Sequence, residues 1–209
     1  MKSIIIFGKG PSVLKCTKDI VDQYDDIAIC NYPILDDFFL NLILNREIKY
    51  HFANCSTFDA RYTDEINDML KIKHIFNTNI NNNLLYSKHL KKNHLIKSIT
   101  VNTYCDIFKK KFDLNPNSGI LGLQYLLDTN EYNKILLVGF DNYKKGEQIY
   151  YFNINNINPK LKYLLGNNIS KKGVFNIISG HDPAKTLIYL KSLESKYPDV
   201  NIENINTNN

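Results

Sequence analysis

A few short stretches of this chain carry side chains suited to binding an anion or moving a proton. Gly8-Lys9-Gly10-Pro11-Ser12 follows the apolar run Ile4 to Phe7 and precedes a helical pattern. Glycines at such a turn let a backbone approach a phosphate closely, and the helix behind them offers free N–H groups. A sharp turn without ligand would need the same glycines. The third glycine of a dinucleotide fingerprint is missing, and so is a P-loop GxxxxGK[ST]. Asn31 and Asn54 each follow an apolar run, at Cys30-Asn31 and Ala53-Asn54. Carboxamides at strand ends can read a base, a ribose or a phosphate, or simply make turns. Asn117-Ser118-Gly119 opens an apolar helix, where a side chain can cap or the helix start can take a carboxylate or phosphate. His181 stands between Gly180 and an Asp182-Pro183 helix start. It suits a general base working near neutral pH, or a structural role.

The elements that must position these residues alternate. The pattern predicts strands over 3–7, 26–30, 48–53, 73–77, 96–101, 134–139 and 199–203. It predicts helices over 12–23, 36–45, 62–71, 84–92, 103–111, 118–129, 158–165 and 183–196. That alternation implies an α/β fold with a mostly parallel central sheet flanked by helices. In the last helix Ala184, Leu187 and Ile188 give the expected apolar face, widened by Leu190 and Leu193. Asp182 should cap it, Pro183 fits its first position, and Tyr197-Pro198 should end it.

The expected organisation is one Rossmann-like domain over 1–205, with a frayed tail over 206–209. The polar, lysine-rich stretch over about 144–173 is expected to be a lid-like excursion.

Composition narrows the class. The chain has 209 residues, 44% of them apolar and 12% aromatic, as in a globular protein. No apolar run reaches the length of a membrane span. Met1-Lys2-Ser3 leads straight into a strand, so no signal peptide is expected. Cys16, Cys30, Cys55 and Cys105 have no CxxC or metal spacing, and neither do His51, His74, His89 and His94. No metal and no cofactor are expected. A net charge of +5 with Lys91-Lys92 and Lys109-Lys110-Lys111 carries no nucleic-acid motif. The expected location is the cytoplasm. Docking of the basic clusters at the inner membrane face, and a homo-oligomeric state, stay open.

Taken in order, these segments resemble the bacterial sialyltransferases of glycosyltransferase family 42. They are also similar to the sialylmotifs of the eukaryotic family 29 enzymes. The resemblance rests on Gly8 to Ser12 as a GNGPS-like loop, the Cys30-Asn31 pair, and Asn54. It rests further on Asn117-Ser118-Gly119 as an [ST]SG helix start, on Gly139-Phe140-Asp141-Asn142-Tyr143 with Tyr150 beyond it, and on Gly180-His181. It covers the chain from Ile4 to about Ile205.

The resemblance implies metal-independent, inverting transfer of sialic acid from CMP-sialic acid to a glycan hydroxyl. Under it, His181 is the base on the acceptor, and Tyr143 and Tyr150 hold the departing phosphate. Gly8, Lys9, Gly10, Pro11, Ser12, Asn31 and Asn54 hold nucleotide and sugar. Asn117, Ser118 and Gly119 also bind substrate, Ser118 receiving the sugar carboxylate. Lys9 departs from the usual asparagine, Asn117 from the usual threonine or serine, and Asn115 stands where a basic residue can occur. The departures bear on the donor, so CMP-Kdo or another nonulosonic acid is the near alternative. A non-catalytic nucleotide- or glycan-binding protein is the second reading. A pterin diphosphokinase-like enzyme is the third, and it would need carboxylates beyond Asp141 to hold a metal.

Overall fold

A computed structural model describes residues 1–31, 36–53, 67–78, 95–98, 101–141, 150–151 and 182–205. Strands β1 (Lys2–Phe7), β2 (Asp26–Cys30), β3 (Tyr50–Ala53), β4 (His74–Asn77), β5 (Leu95–Ser98), β6 (Tyr132–Val138) and β7 (Asn201–Ile205) form one sheet. Its order is β5-β4-β3-β2-β1-β6-β7, and every neighbouring pair is parallel. The α/β fold with a parallel sheet is therefore as the sequence pattern predicts. Among the described residues no helix is long and apolar enough to cross a membrane.

A parallel sheet covered on both faces needs strands that are apolar throughout. β1 shows this: Ile4, Ile5, Ile6 and Phe7 are all buried. Ile5 and Phe7 face a core shared with Val13, Val21, Phe39, Leu42 and Leu136. Ile4 and Ile6 face the other, with Phe52, Phe108, Leu123, Leu127 and Leu193. Helices α1 (Lys18–Val21) and α2 (Asp37–Leu42) cover the first face. Helices α3 (Val101–Phe112), α4 (Ser118–Thr129) and α5 (Pro183–Lys196) cover the second.

Two local expectations are corrected. The single helix over 12–23 is broken into a 3₁₀ turn, Pro11–Lys15, and α1. Cys16 is extended between them, and Thr17 caps α1 by accepting from the Ile20 amide. The buried stripe of α5 is also rotated from the expected one. Tyr189 and Leu193 are buried with Leu190 packed beside them, whereas Leu187 and Ile188 are exposed, Ile188 by 60%. The Tyr189 ring lies edge-on to Phe108 and Phe112 at 4.7 and 5.5 Å, and its hydroxyl donates to Gln124 Oε1 at 3.2 Å. A tyrosine with both an apolar ring and a satisfied hydroxyl outcompetes two aliphatic side chains for that face.

The expected helices over 84–92 and 158–165, the first half of that over 62–71, and the tail over 206–209 lie outside the described residues. Only residues 150–151 of the expected excursion are described.

Candidate functional site

Strand order reverses at β1, whose neighbours are β2 and β6. In open α/β sheets the crevice beyond the carboxyl ends at such a reversal is where ligands bind. Two loops meet there, one after β1 and one after β6. The Gly8 amide donates to Val138 O at 2.7 Å, and the Gly10 amide to Gly139 O at 3.1 Å. A Cβ on Gly8 would sit 2.5 Å from Gly139 O. Gly139 has φ +77°, and its own Cβ would lie 2.8 Å from Val13 Cγ2 and 2.9 Å from Gly10 N. Both glycines are thus required by the close approach of two backbones.

Ser12 locks that junction. It is fully buried, and its amide and hydroxyl donate to Asp141 Oδ2 at 3.0 and 2.9 Å. The same Oγ accepts from the Gly139 amide at 2.9 Å. The amides of Gly8, Gly10, Ser12 and Val13 all donate to protein acceptors, and Pro11 has none. These are the bonds by which the sharp turn holds its shape. The Lys9 side chain leaves the loop between the two glycines whose amides are bonded.

Lys9 is half-buried. Burial lowers its ammonium from the ordinary lysine value to about 8, opposed by the nearby Cys30 thiol. Burial also drives Cys30 up to about 12. His51 is fully buried, and it is lowered to about 3 by burial first and by the charge of Lys9 second. A hydrogen bond with the Asn31 main chain opposes that shift. Cys30 belongs to the core on one face of the sheet, while Ala53, in strand register with His51, belongs to the other. Lys9 stands two positions beyond the end of β1, at the carboxyl edge of the sheet, next to the strand that ends in Cys30.

Other candidates converge on this edge. Asn31 has φ 55°, and its amide extends the β2–β3 ladder by donating to Phe52 O at 2.8 Å. The Tyr151 amide donates to Lys9 O at 2.9 Å, so the chain returns to the glycine loop. Tyr150 beside it is half-buried against the core, and burial raises its phenol.

The start of α4 lies at the same end of the sheet. Asn117 caps it, Oδ1 accepting from the Ile120 amide at 3.0 Å. Ser118 Oγ lies 2.7 Å from Thr78 Oγ1, and the Thr78 amide donates to Ala53 O at 2.8 Å. A Cβ on Gly119 would meet the Phe140 ring at 2.7 Å, so the loop after β6 also packs on this helix start. Thr78 escaped the sequence reading. Its only signal is its place, one residue beyond the expected end of β4, the rule that selected Asn31 and Asn54.

Asn54, Tyr143 and His181 lie outside the described residues. The described residues nearest them are Ala53 at the end of β3, Asp141 on Ser12, and Asp182 at the start of α5. Asp182 caps α5, accepting from the Ala184 and Lys185 amides at 2.9 and 3.2 Å. Lys185 Nζ donates to Asp113 O at 3.1 Å, which ties the α5 start to the segment leading into α4. Among the described residues no cluster of His, Cys, Asp or Glu is arranged to hold a metal.

No known family matches the chain by sequence, and no curated protein matches it either. Solved structures do. Sialyltransferase CstII from Campylobacter jejuni in complex with the substrate analogue CMP-3FNeuAc matches with a TM-score of 0.62 at 19% identity. That match covers 98% of this chain and 81% of the other. A second CstII structure, in complex with cytidine-5'-monophosphate, gives 0.62 at 18% identity, covering 100% and 81%. The chain has a sialyltransferase-like, Rossmann-like fold.

Proposed function

We propose that this protein is a glycosyltransferase that moves sialic acid from CMP-sialic acid to a glycan hydroxyl. The observation that carries the reading is the convergence of Lys9, Asn31, Tyr150 and the Asn117-Ser118 helix start on one carboxyl edge of the sheet. It is supported by the likeness to CstII, whose solved complexes hold CMP and a CMP-sugar analogue.

The chemistry follows from the residue types. An acceptor hydroxyl attacks the anomeric carbon from the face opposite the nucleotide. The bond from that carbon to the phosphate oxygen breaks, and its electron pair leaves with CMP. His181 takes the hydroxyl proton as general base. Tyr143 and Tyr150 donate to the phosphate oxygens as charge builds there, the service a metal gives in other transferases. Asn31 and Asn54 hold nucleotide and sugar. The helix start at Ser118 receives the sugar carboxylate, aided by the helix dipole.

The test is CMP release from CMP-sialic acid and from CMP-Kdo, in EDTA, with and without a mixed glycan acceptor pool. Acceptor-stimulated release from CMP-sialic acid is expected, and release from CMP-Kdo alone would reassign the donor. His181→Ala should still bind CMP and lose transfer. Unchanged turnover in that variant would remove histidine from the mechanism, and absence of CMP binding by the wild type would overturn the whole reading.

A further inference from the structure

We propose that Lys9 is the phosphate-binding cation of the donor site, the group by which this protein distinguishes a nucleoside monophosphate from the bare nucleoside. The proposal rests on the CMP-sugar reading above and adds a charged contact to the phosphate that the reading gives only to tyrosine hydroxyls.

Lys9 lies between Gly8 and Gly10, whose amides are committed to Val138 O and Gly139 O. The loop is therefore rigid where Lys9 leaves it. Its carbonyl is held from the other side by the Tyr151 amide. The backbone is fixed on both sides, and the side chain leaves it at the carboxyl end of β1, beside the end of β2. Among the described residues the titratable groups on the neighbouring segments are these. Cys30 from β2 stays a neutral thiol, because burial pushes it to about 12. His51 from β3 stays a neutral imidazole for the same cause. Asp141, after β6, accepts twice from Ser12. Tyr150, on the returning segment, has a phenol raised by burial. Among the described residues no carboxylate acts on Lys9.

A desolvated cation without a carboxylate is costly in the empty protein. It becomes favourable when an anion arrives, and a charge-assisted hydrogen bond in a partly dry crevice is stronger than a neutral one. A lysine is a point charge, suited to a phosphate rather than to reading a base. The donor brings two anionic groups, a phosphate and a sugar carboxylate. The helix start at Ser118 answers the carboxylate, and the phosphate, met by the neutral hydroxyls of Tyr143 and Tyr150, still lacks the counter-charge that Lys9 can supply.

The test compares binding of cytidine, CMP and CMP-sialic acid to the wild type, Lys9→Met and Lys9→Arg by calorimetry. Methionine keeps the stem and removes the charge, and unfolding curves report whether each variant is folded. The wild type should prefer CMP to cytidine, and the preference should decline between pH 8 and 9.5 as the free ammonium loses its proton. Lys9→Met should bind CMP about tenfold or more weaker with cytidine affinity unchanged. Lys9→Arg should restore most of the preference. If the wild type binds CMP and Lys9→Met binds it equally well, the Lys9 assignment fails and the functional reading stands. An effect confined to CMP-sialic acid would move Lys9 to the carboxylate and overturn the phosphate contact. Equal loss of cytidine and CMP would mean Lys9 only supports the loop. No CMP binding by the wild type would overturn both.

Discussion

Ser12 and Asp141, 129 positions apart, meet through two hydrogen bonds to one carboxylate oxygen. The loop after β1 and the loop after β6 are therefore one object. An aspartate placed after the last core strand, which resembles part of a donor site in the sequence, here holds the turn that presents Lys9. Ser12 also accepts from Gly139, so each of its polar groups has a protein partner. Ser12→Ala would leave the Gly139 amide without its acceptor and Asp141 with one donor fewer, the amide of residue 12 remaining. The expected cost is about 1–3 kcal/mol of stability, read from urea unfolding. Unchanged stability with lost CMP binding would assign the hydroxyl to the ligand instead.

The glycines of the junction should differ in what they tolerate. A Cβ at Gly8 would meet backbone, Gly139 O at 2.5 Å, and one at Gly139 would also need φ +77°. Neither clash can be relieved by turning a side chain. Gly119 faces the edge of the Phe140 ring, which can move. Gly8→Ala and Gly139→Ala should each cost about 3 kcal/mol or more, and Gly119→Ala clearly less. Melting temperatures of the three variants give the order, and an equal loss in all three would contradict it.

How much of this was legible follows from what each residue touches. β1 and β6 were plain in the sequence because both faces are buried and the runs Ile4 to Phe7 and Ile135 to Val138 are unbroken. β7 is a sheet edge with exposed Asn201 and Glu203, and its bounds fell two residues away from expectation. The break at Cys16 falls between the helix that Thr17 caps and a turn whose Ser12 is bonded to Asp141 from far along the chain, a partner no local pattern reveals. In the site, the glycine loop and the Asn117-Ser118 start were visible because turns and caps use few residue types. Thr78 was not, because a threonine at a strand end looks like any strand residue. Nor was the environment of Lys9, which is set by Cys30 and His51 on two other strands.

His51 makes the fold sensitive to acid. Its folded value is about 3 and its ordinary value 6.5, so the unfolded chain binds the proton more readily between them. Stability from this group is complete above pH 6.5 and is lost as pH falls towards 3. Between pH 7 and pH 5 the loss should be about 2 kcal/mol. His51→Gln should flatten that limb. Parallel urea titrations at the two pH values check it, and an identical slope in the variant would place the acid sensitivity elsewhere.

Lys9 should trade stability for binding. Its folded value is about 8 against an ordinary 10.5, so at neutral pH the empty protein holds a charged group that burial disfavours. Lys9→Met removes that group and should stabilise the ligand-free protein on the order of 1–3 kcal/mol at pH 7, the lower part allowing for partial exposure of the side chain. The unfolded chain holds the lysine proton up to about pH 10.5, while the folded chain releases it from about pH 8. Wild-type stability should therefore rise relative to the variant across that window, and the gap should close. A mutation that raises the melting temperature at pH 7 while weakening CMP binding is the signature of a strained binding group. Destabilisation by Lys9→Met at every pH would mean that the ammonium is already compensated within the fold.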